Sequence, residues 1–176
     1  GTAGEATQKL SVLLEVSATG GSTEVGPQEL RSYTSTSSAS EEEVLADKWW
    51  AQYFKPNLPS GATGWKVTSV EVYSKRGNVA AILDIRLYEP DASNMPSSTI
   101  VDEVSIAQSS LTSSYTWNEI LFSGHSGLDP AQGLCLALTT INKKTAMYFE
   151  YVSGGVSEPD SGFIDGGPNW NGIATD

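Results

Sequence analysis

The side chains with chemistry to offer are five tryptophans, one histidine, one cysteine and 21 Asp and Glu residues. The tryptophans are the most suggestive for binding. Sugar rings present apolar C–H faces that stack on indole and phenol rings, so an exposed Trp beside polar amides marks a lectin-like site. Trp170 lies in Gly167-Pro168-Asn169-Trp170-Asn171-Gly172, flanked by Asn169 and Asn171, whose amides can bind hydroxyls. Trp49 and Trp50 are adjacent, so on a strand one points in and the other out. The expected ligand contacts are therefore Trp170, Asn169, Asn171 and Trp50. Trp117, in a largely apolar run, is expected in the core.

The carboxylates suggest two further chemistries. Asp160 and Asp165, with backbone carbonyls of the Gly-rich tail, would make an oxygen cage for Ca²⁺, as would Asp91 with Asn94. No EF-hand spacing is present, and no cofactor other than this structural calcium is expected. Glycoside hydrolysis would need two carboxylates at a set separation. Asp84, Glu103, Glu119 and Glu150 fall on predicted strands, where charged residues usually face solvent. His125, in Ser123-Gly124-His125-Ser126-Gly127, is one residue short of a G-x-S-x-G elbow and is followed by no strand-to-helix transition. One His and one Cys are too few for zinc. The chain is expected not to be an enzyme, and no catalytic residue is assigned.

Net charge of −11 and a pI of about 4.4 argue against nucleic acid and anionic membrane surfaces as partners. No apolar run approaches the roughly 20 residues that cross a bilayer. A lone Cys135 permits no intrachain disulfide, and its place in the apolar run Leu134–Leu138 predicts a buried, inert thiol. The chain begins at Gly1 rather than Met, and an export signal is expected to have preceded it.

The elements that would position these residues are strands. Val79–Glu89 alternates cleanly, with Val79, Ala81, Leu83, Ile85 and Leu87 on one face and Asp84, Arg86 and Tyr88 on the other. Pro90 and Pro96 bound a polar tip, and Thr99–Ile106 completes a long hairpin. Trp49–Lys55 carries aromatics on both faces, as would a strand that is either buried on both faces or has one face bound to a partner. Trp65–Ser74 breaks parity between Val67 and Val70, which predicts a bulge. Further strands are expected over Gln8–Val16 (where Leu10, Leu13 and Leu14 also fit a short helix), Tyr115–Phe122, Leu134–Thr140 and Ala146–Val152, with Leu30–Ser38 as an edge strand or loop. Ser40–Asp47 carries the one helix signal, a capping box of Ser40 with Glu43. Residues 1–7 are expected to fray, and 153–176 to form a loop-rich tail packed on the body. The fold class is all-β: a two-sheet antiparallel β-sandwich, jelly-roll-like, with at most one short helix, in a single domain over 1–176.

From Ala51 onward the layout resembles the choice-of-anchor domains of bacterial exported proteins, similar in plan to carbohydrate-binding modules. Ala51-Gln52 with Phe54 resembles their A-Q-x-F opening strand, and Val67–Val72 the V-x-x-V-x-V strand that follows. Ile85–Tyr88 with Met95-Pro96-Ser97-Ser98 resembles the I-x-L-Y…x-P-x-S hairpin. Trp117–Phe122, Leu128, Ala131-Gln132-Gly133 and Leu134–Leu138 resemble W-x-x-I-x-F…L-x-x-G-x-x-L-x-L. These positions are mostly core and turn, so the resemblance implies an architecture and an exported context, and it carries over no catalytic residue. The expected function is a non-catalytic binding or adhesion module of a larger exported bacterial protein, extracellular or at the cell surface, with a glycan or another surface protein as partner. The alternative is a structural spacer or protein–protein assembly domain, including the phage or viral fibre type, without a small ligand.

Overall fold

The computed structural model describes residues 40–56, 58, 60–151, 161–166, 170 and 174–175, with the backbone alone at 40, 151, 161–166 and 174–175. The strands expected over 8–16 and 30–38 and the frayed start lie outside this set. The described elements are β1 (Ser40–Val44), β2 (Trp49–Phe54), β3 (Ser69–Arg76), β4 (Ile82–Pro90), β5 (Pro96–Ala107), a 3₁₀ turn (Gln108–Ser110), β6 (Thr116–Leu121), β7 (Leu134–Thr139), β8 (Met147–Tyr151), β9 (Ser161–Gly166) and β10 (Ala174–Thr175).

The β4–β5 hairpin sits at the centre of the connectivity. Its strands pair antiparallel from Ile82↔Ala107 to Pro90↔Pro96, with irregularities near Tyr88. Around it, β3 pairs with β6, β2 with β7 and β1 with β8, all antiparallel and each pair nested outside the last. Rolling this ribbon of pairs into two layers gives the sheet orders β1-β8-β3-β6 and β10-β9-β2-β7-β4-β5. That is a jelly roll, extended by two strands beyond β2.

Side-chain alternation explains why the ribbon closes into a sandwich. Leu83, Ile85 and Leu87 of β4 are at most 1% exposed and point between the sheets. Val70, Ile120, Leu134, Leu136, Leu138, Met147 and Phe149 meet them in one apolar cluster with Trp50, Phe54 and Trp65. Burying a side chain of this size contributes about 1.5–3 kcal/mol. The Trp65 indole N–H still finds a partner, donating to the Asp129 carbonyl at 2.9 Å.

Three expectations are corrected. Ser40–Asp47 is not helical: Ser40–Val44 is β1, in register with β8 from Ser40↔Tyr151 to Val44↔Met147. A one- or two-turn helix without an apolar stripe has little to hold it, whereas strand pairing buries Val44 completely. The bulge expected in Trp65–Ser74 is replaced by a later start. Trp65 forms an isolated bridge with Leu128, and the ladder of β3 begins at Ser69. The tail is not all loop, since Ser161–Gly166 pairs along β2 from Trp49↔Gly166 to Phe54↔Ser161. Without it, β2 would leave a row of unpaired backbone groups beside an aromatic strand.

Candidate functional site

Each sheet has an outer face, and the two differ. On the six-stranded sheet, Ala51, Tyr53, Tyr88, Cys135 and Ala137 form a second buried cluster, over which Met95 and Trp170 pack. The Trp170 ring centroid lies 6.0 Å from that of Trp49 and 6.0 Å from that of Tyr88, in tilted and edge-on arrangements. Its backbone sits at φ 44, a region costly for a bulky residue and held by these contacts. Trp170 is thus a half-buried cover over small residues. Beside it the Arg86 guanidinium lies 5.9 Å from the Trp49 ring centroid, bonds Glu103 through Nε, and reaches Asp84 at 3.5 Å. Burial alone would lower the Arg86 pKa, but the Glu103 and Tyr88 contacts outweigh it and raise it.

Trp50, expected as a ligand contact, is 4% exposed. Its indole donates to the Glu43 carbonyl at 3.0 Å, and its ring meets Phe149 edge-on at 5.5 Å. Of the adjacent pair, Trp50 is the inward member, so it presents no ring face to a ligand. Asn169, Asn171 and Asp160 lie outside the described residues. Asp165 has a described backbone only, opposite Trp50 in the β2–β9 register. Among the described residues no group of three His, Cys, Asp or Glu is placed to hold a metal ion. Asp91 instead caps its own loop, its Oδ1 accepting the N–H groups of Ser93 and Met95 at 2.8 and 2.9 Å.

The four carboxylates considered for hydrolysis divide between sheets. Asp84 and Glu103 are on the six-stranded sheet, both held by Arg86, while Glu119 and Glu150 are on the other. Around His125, the Asp102 carboxylate accepts the Ser123 hydroxyl at 2.8 and 2.9 Å and the backbone N–H groups of Gly124 and His125. A catalytic triad puts the imidazole between acid and nucleophile. Here the acid binds the hydroxyl directly and fastens the loop.

The outer face of the four-stranded sheet gathers four half-buried aromatic rings that sequence reasoning did not assemble. In β3, Val70 and Ser74 are buried, so Glu71, Tyr73 and Lys75 point out. In β6, Ile120 is buried, so Trp117, Glu119 and Leu121 point out. The register sets Tyr73 opposite Trp117 and Glu71 opposite Glu119. The Tyr73 and Trp117 centroids are 5.2 Å apart, and Tyr115 stacks on Tyr73 at 5.5 Å with 21° between the planes. Tyr148 completes the group from β8, opposite Lys75. The Lys75 ammonium lies 4.4 Å from the Tyr115 centroid and 5.0 Å from that of Tyr148, and pairs with Glu41 at 2.8 Å. The bonds from Lys75 and from the Tyr115 phenol hold Glu41 below the usual carboxylate range. Burial, then the Glu41 charge, pushes Glu150 up, while burial and then the hydrogen bond to Glu41 raise the Tyr115 phenol. Trp117 was expected in the core. The signal that corrects it is parity with Ile120, which places Trp117, Glu119 and Leu121 together on the far side.

At one end of the sandwich Ile82 and Ile141, 53% and 85% exposed, border a hollow of about 540 Å³ with Ala81 and Ala107. No helix among the described residues is long and apolar enough to cross a membrane. No family model matches the chain, and comparison with curated proteins yields no match.

Proposed function

We propose that the chain is a non-catalytic binding module of an exported or cell-surface protein, and that it takes a glycan on the outer face of the four-stranded sheet. One observation carries this: Tyr73 and Trp117 are paired at 5.2 Å on a solvent-facing sheet whose other outward residues are mostly charged. Aromatic rings on an outer face add nothing to the inter-sheet core, and they offer the flat apolar surface on which a sugar ring stacks. The carboxylates and Lys75 around them supply acceptors and a donor for hydroxyls. On the six-stranded sheet both candidate acids, Asp84 and Glu103, are engaged by Arg86, which supports a structural role for them.

The test is a titration with neutral oligosaccharides, followed by tryptophan fluorescence and thermal shift, on the parent chain and on W117A, Y73A and W170A. Binding lost in W117A and Y73A but kept in W170A supports the site. Binding lost only in W170A moves it to the six-stranded sheet. The same thermal shift, run with Ca²⁺ and with EDTA, tests the calcium expected at Asp160 and Asp165.

A second reading, a spacer or assembly domain, is favoured by the exposed Ile82 and Ile141 beside the apolar hollow. Its mark is self-association or partner capture that is lost in I82S/I141S and is indifferent to Trp117.

A further inference from the structure

We propose that Asp102 is a clasp on the outer edge of β5. It holds residues 123–125 against that edge, and its loss lets β5 pair with β5 of a second copy of this chain.

β5 is the longest described strand, and it ends the six-stranded sheet. Its far side has no strand partner among the described residues. Thr99, Ile100, Val101, Val104 and Ile106 are β-branched, the side chains that strands favour, and Thr99 and Ile100 are exposed. An edge of this kind is a template for another strand unless something blunts it.

Several features of β5 do so. Pro96 opens the strand, and its ladder with β4 is irregular near Tyr88. The Thr99 backbone N–H donates to the Ser97 hydroxyl at 3.1 Å, and the Glu103 N–H donates to Asp102 Oδ1 at 2.9 Å. Two donors of the strand are thus taken by its own side chains.

The same Asp102 carboxylate also reaches off the strand. It accepts the Ser123 hydroxyl at 2.8 and 2.9 Å, the Gly124 N–H at 3.2 Å and the His125 N–H at 3.4 Å. These residues follow β6, which ends the four-stranded sheet. One carboxylate therefore joins the edges of the two sheets along the side of the sandwich where β5 and β6 lie. Gly124, at φ +80, supplies the turn, because a left-handed residue lets successive backbone N–H groups converge on one anion. Hydrogen bonds to an ionised acceptor are the stronger kind, and Asp102 gathers them from both sides of the joint.

The occupant of an opened edge is a second copy. Two β5 edges related by a two-fold axis meet antiparallel, the self-complementary arrangement commonest among homodimers. The clasp keeps this pairing from forming.

The experiment applies sedimentation velocity and amide hydrogen exchange, over a range of concentrations, to the full chain, D102A and S123A. In D102A, exchange at Glu103, Gly124 and His125 is expected to be at least about tenfold faster at low concentration. D102A is also expected to associate at concentrations where the parent does not, with the β5 amides regaining protection as it does. Serine 123 contributes only its hydroxyl, so S123A is expected to speed exchange at Gly124 and His125 to a smaller degree. It decides the matter if D102A fails to fold: unchanged exchange there in S123A overturns the clasp. D102A that associates no more than the parent overturns the proposal. So does association that leaves the β5 amides unprotected, which places the contact elsewhere, as at Ile82 and Ile141. Association without faster exchange at Gly124 and His125 overturns it too, by showing relief of charge repulsion alone.

Discussion

The Tyr115 phenol donates to Glu41 at 2.7 Å across 74 positions of sequence. Tyr115 leads into β6 and Glu41 lies in β1, the two edges of the four-stranded sheet, so this bond ties the edges over the strands between. It also sets a pH dependence. Glu41 titrates below its ordinary value of 4.5, so it contributes stability above that value and loses it as pH falls through the lowered one. Glu150 is the reverse: raised by burial and by Glu41, its ionised form costs stability, and the cost disappears as pH falls below the raised value. E150Q is therefore expected to raise the thermal midpoint near neutral pH and E41Q to lower it. Both residues are partly exposed, so each change stays within about 1 kcal/mol, or about 2–4 °C. Thermal melts from neutral to acid pH check this. Curves that fail to converge in acid would show that the effect is not electrostatic.

Cys135 is fully buried, with its thiol pushed up to about 12 by burial and then by Asp91, and its Sγ donates to the Asn94 carbonyl at 3.4 Å. Only a thiolate alkylates readily. In the native chain at mildly alkaline pH, alkylation should therefore be slow and limited by local opening. Trp170 and Met95 are the cover, so W170A is expected to speed alkylation by about tenfold for each 1.4 kcal/mol of cover it removes. An unchanged rate in W170A would mean that Trp170 does not shield the thiol.

Much of the fold was legible because alternation reports burial directly. Leu83, Ile85 and Leu87 face inward as their spacing predicts, and the proline-bounded hairpin forms between Pro90 and Pro96. Of the two readings that the aromatics of β2 allowed, two-sided burial is the one seen, with Trp50 and Phe54 in the main core and Ala51 and Tyr53 in the second cluster. What failed was local signal against distant pairing. The capping box at Ser40 is a feature of a few residues, while the partner that decides β1 is β8, about a hundred positions on, as Glu43 bonding Thr145 across 102 positions illustrates. The candidate site was missed for a similar reason. Tyr73 and Trp117 each looked like ordinary strand residues, and only the β3–β6 register brings them together.

Within the Trp49-Trp50 pair the structure predicts unequal costs. Trp50 fills the space between the sheets and is hydrogen-bonded, so W50A is expected to cost about 3–5 kcal/mol. Trp49 is half-buried on the outer face, where it donates to the Thr140 carbonyl at 2.9 Å and packs on Trp170. W49A is expected to cost about 1–2 kcal/mol, within the ordinary range for single substitutions. Urea unfolding of the two variants measures the difference, and equal losses would contradict the inward and outward assignment.

Two glycines should respond to substitution in opposite ways. At Gly77 a Cβ would fall 2.0 Å from the Thr145 carbonyl oxygen and 2.7 Å from the Ala146 carbonyl carbon. Both are backbone atoms, and Gly77 is also fixed by its N–H bond to Ala146 and by the Gln108 amide on its own carbonyl. The turn after β3 therefore cannot retreat, and G77A is expected to cost about 1–3 kcal/mol through overpacking. At Gly61 a Cβ would meet no atom of the described residues within 4 Å, but φ is +88, so the cost of an alanine is conformational, about 1–2 kcal/mol. Asparagine separates the two causes because it tolerates the left-handed region while being larger than alanine. G61N should recover most of the stability lost in G61A, whereas G77N should be worse than G77A. Chemical denaturation of the four variants decides it, and rescue by asparagine at position 77 would show that the close approach of β3 to β8 is not what requires glycine there.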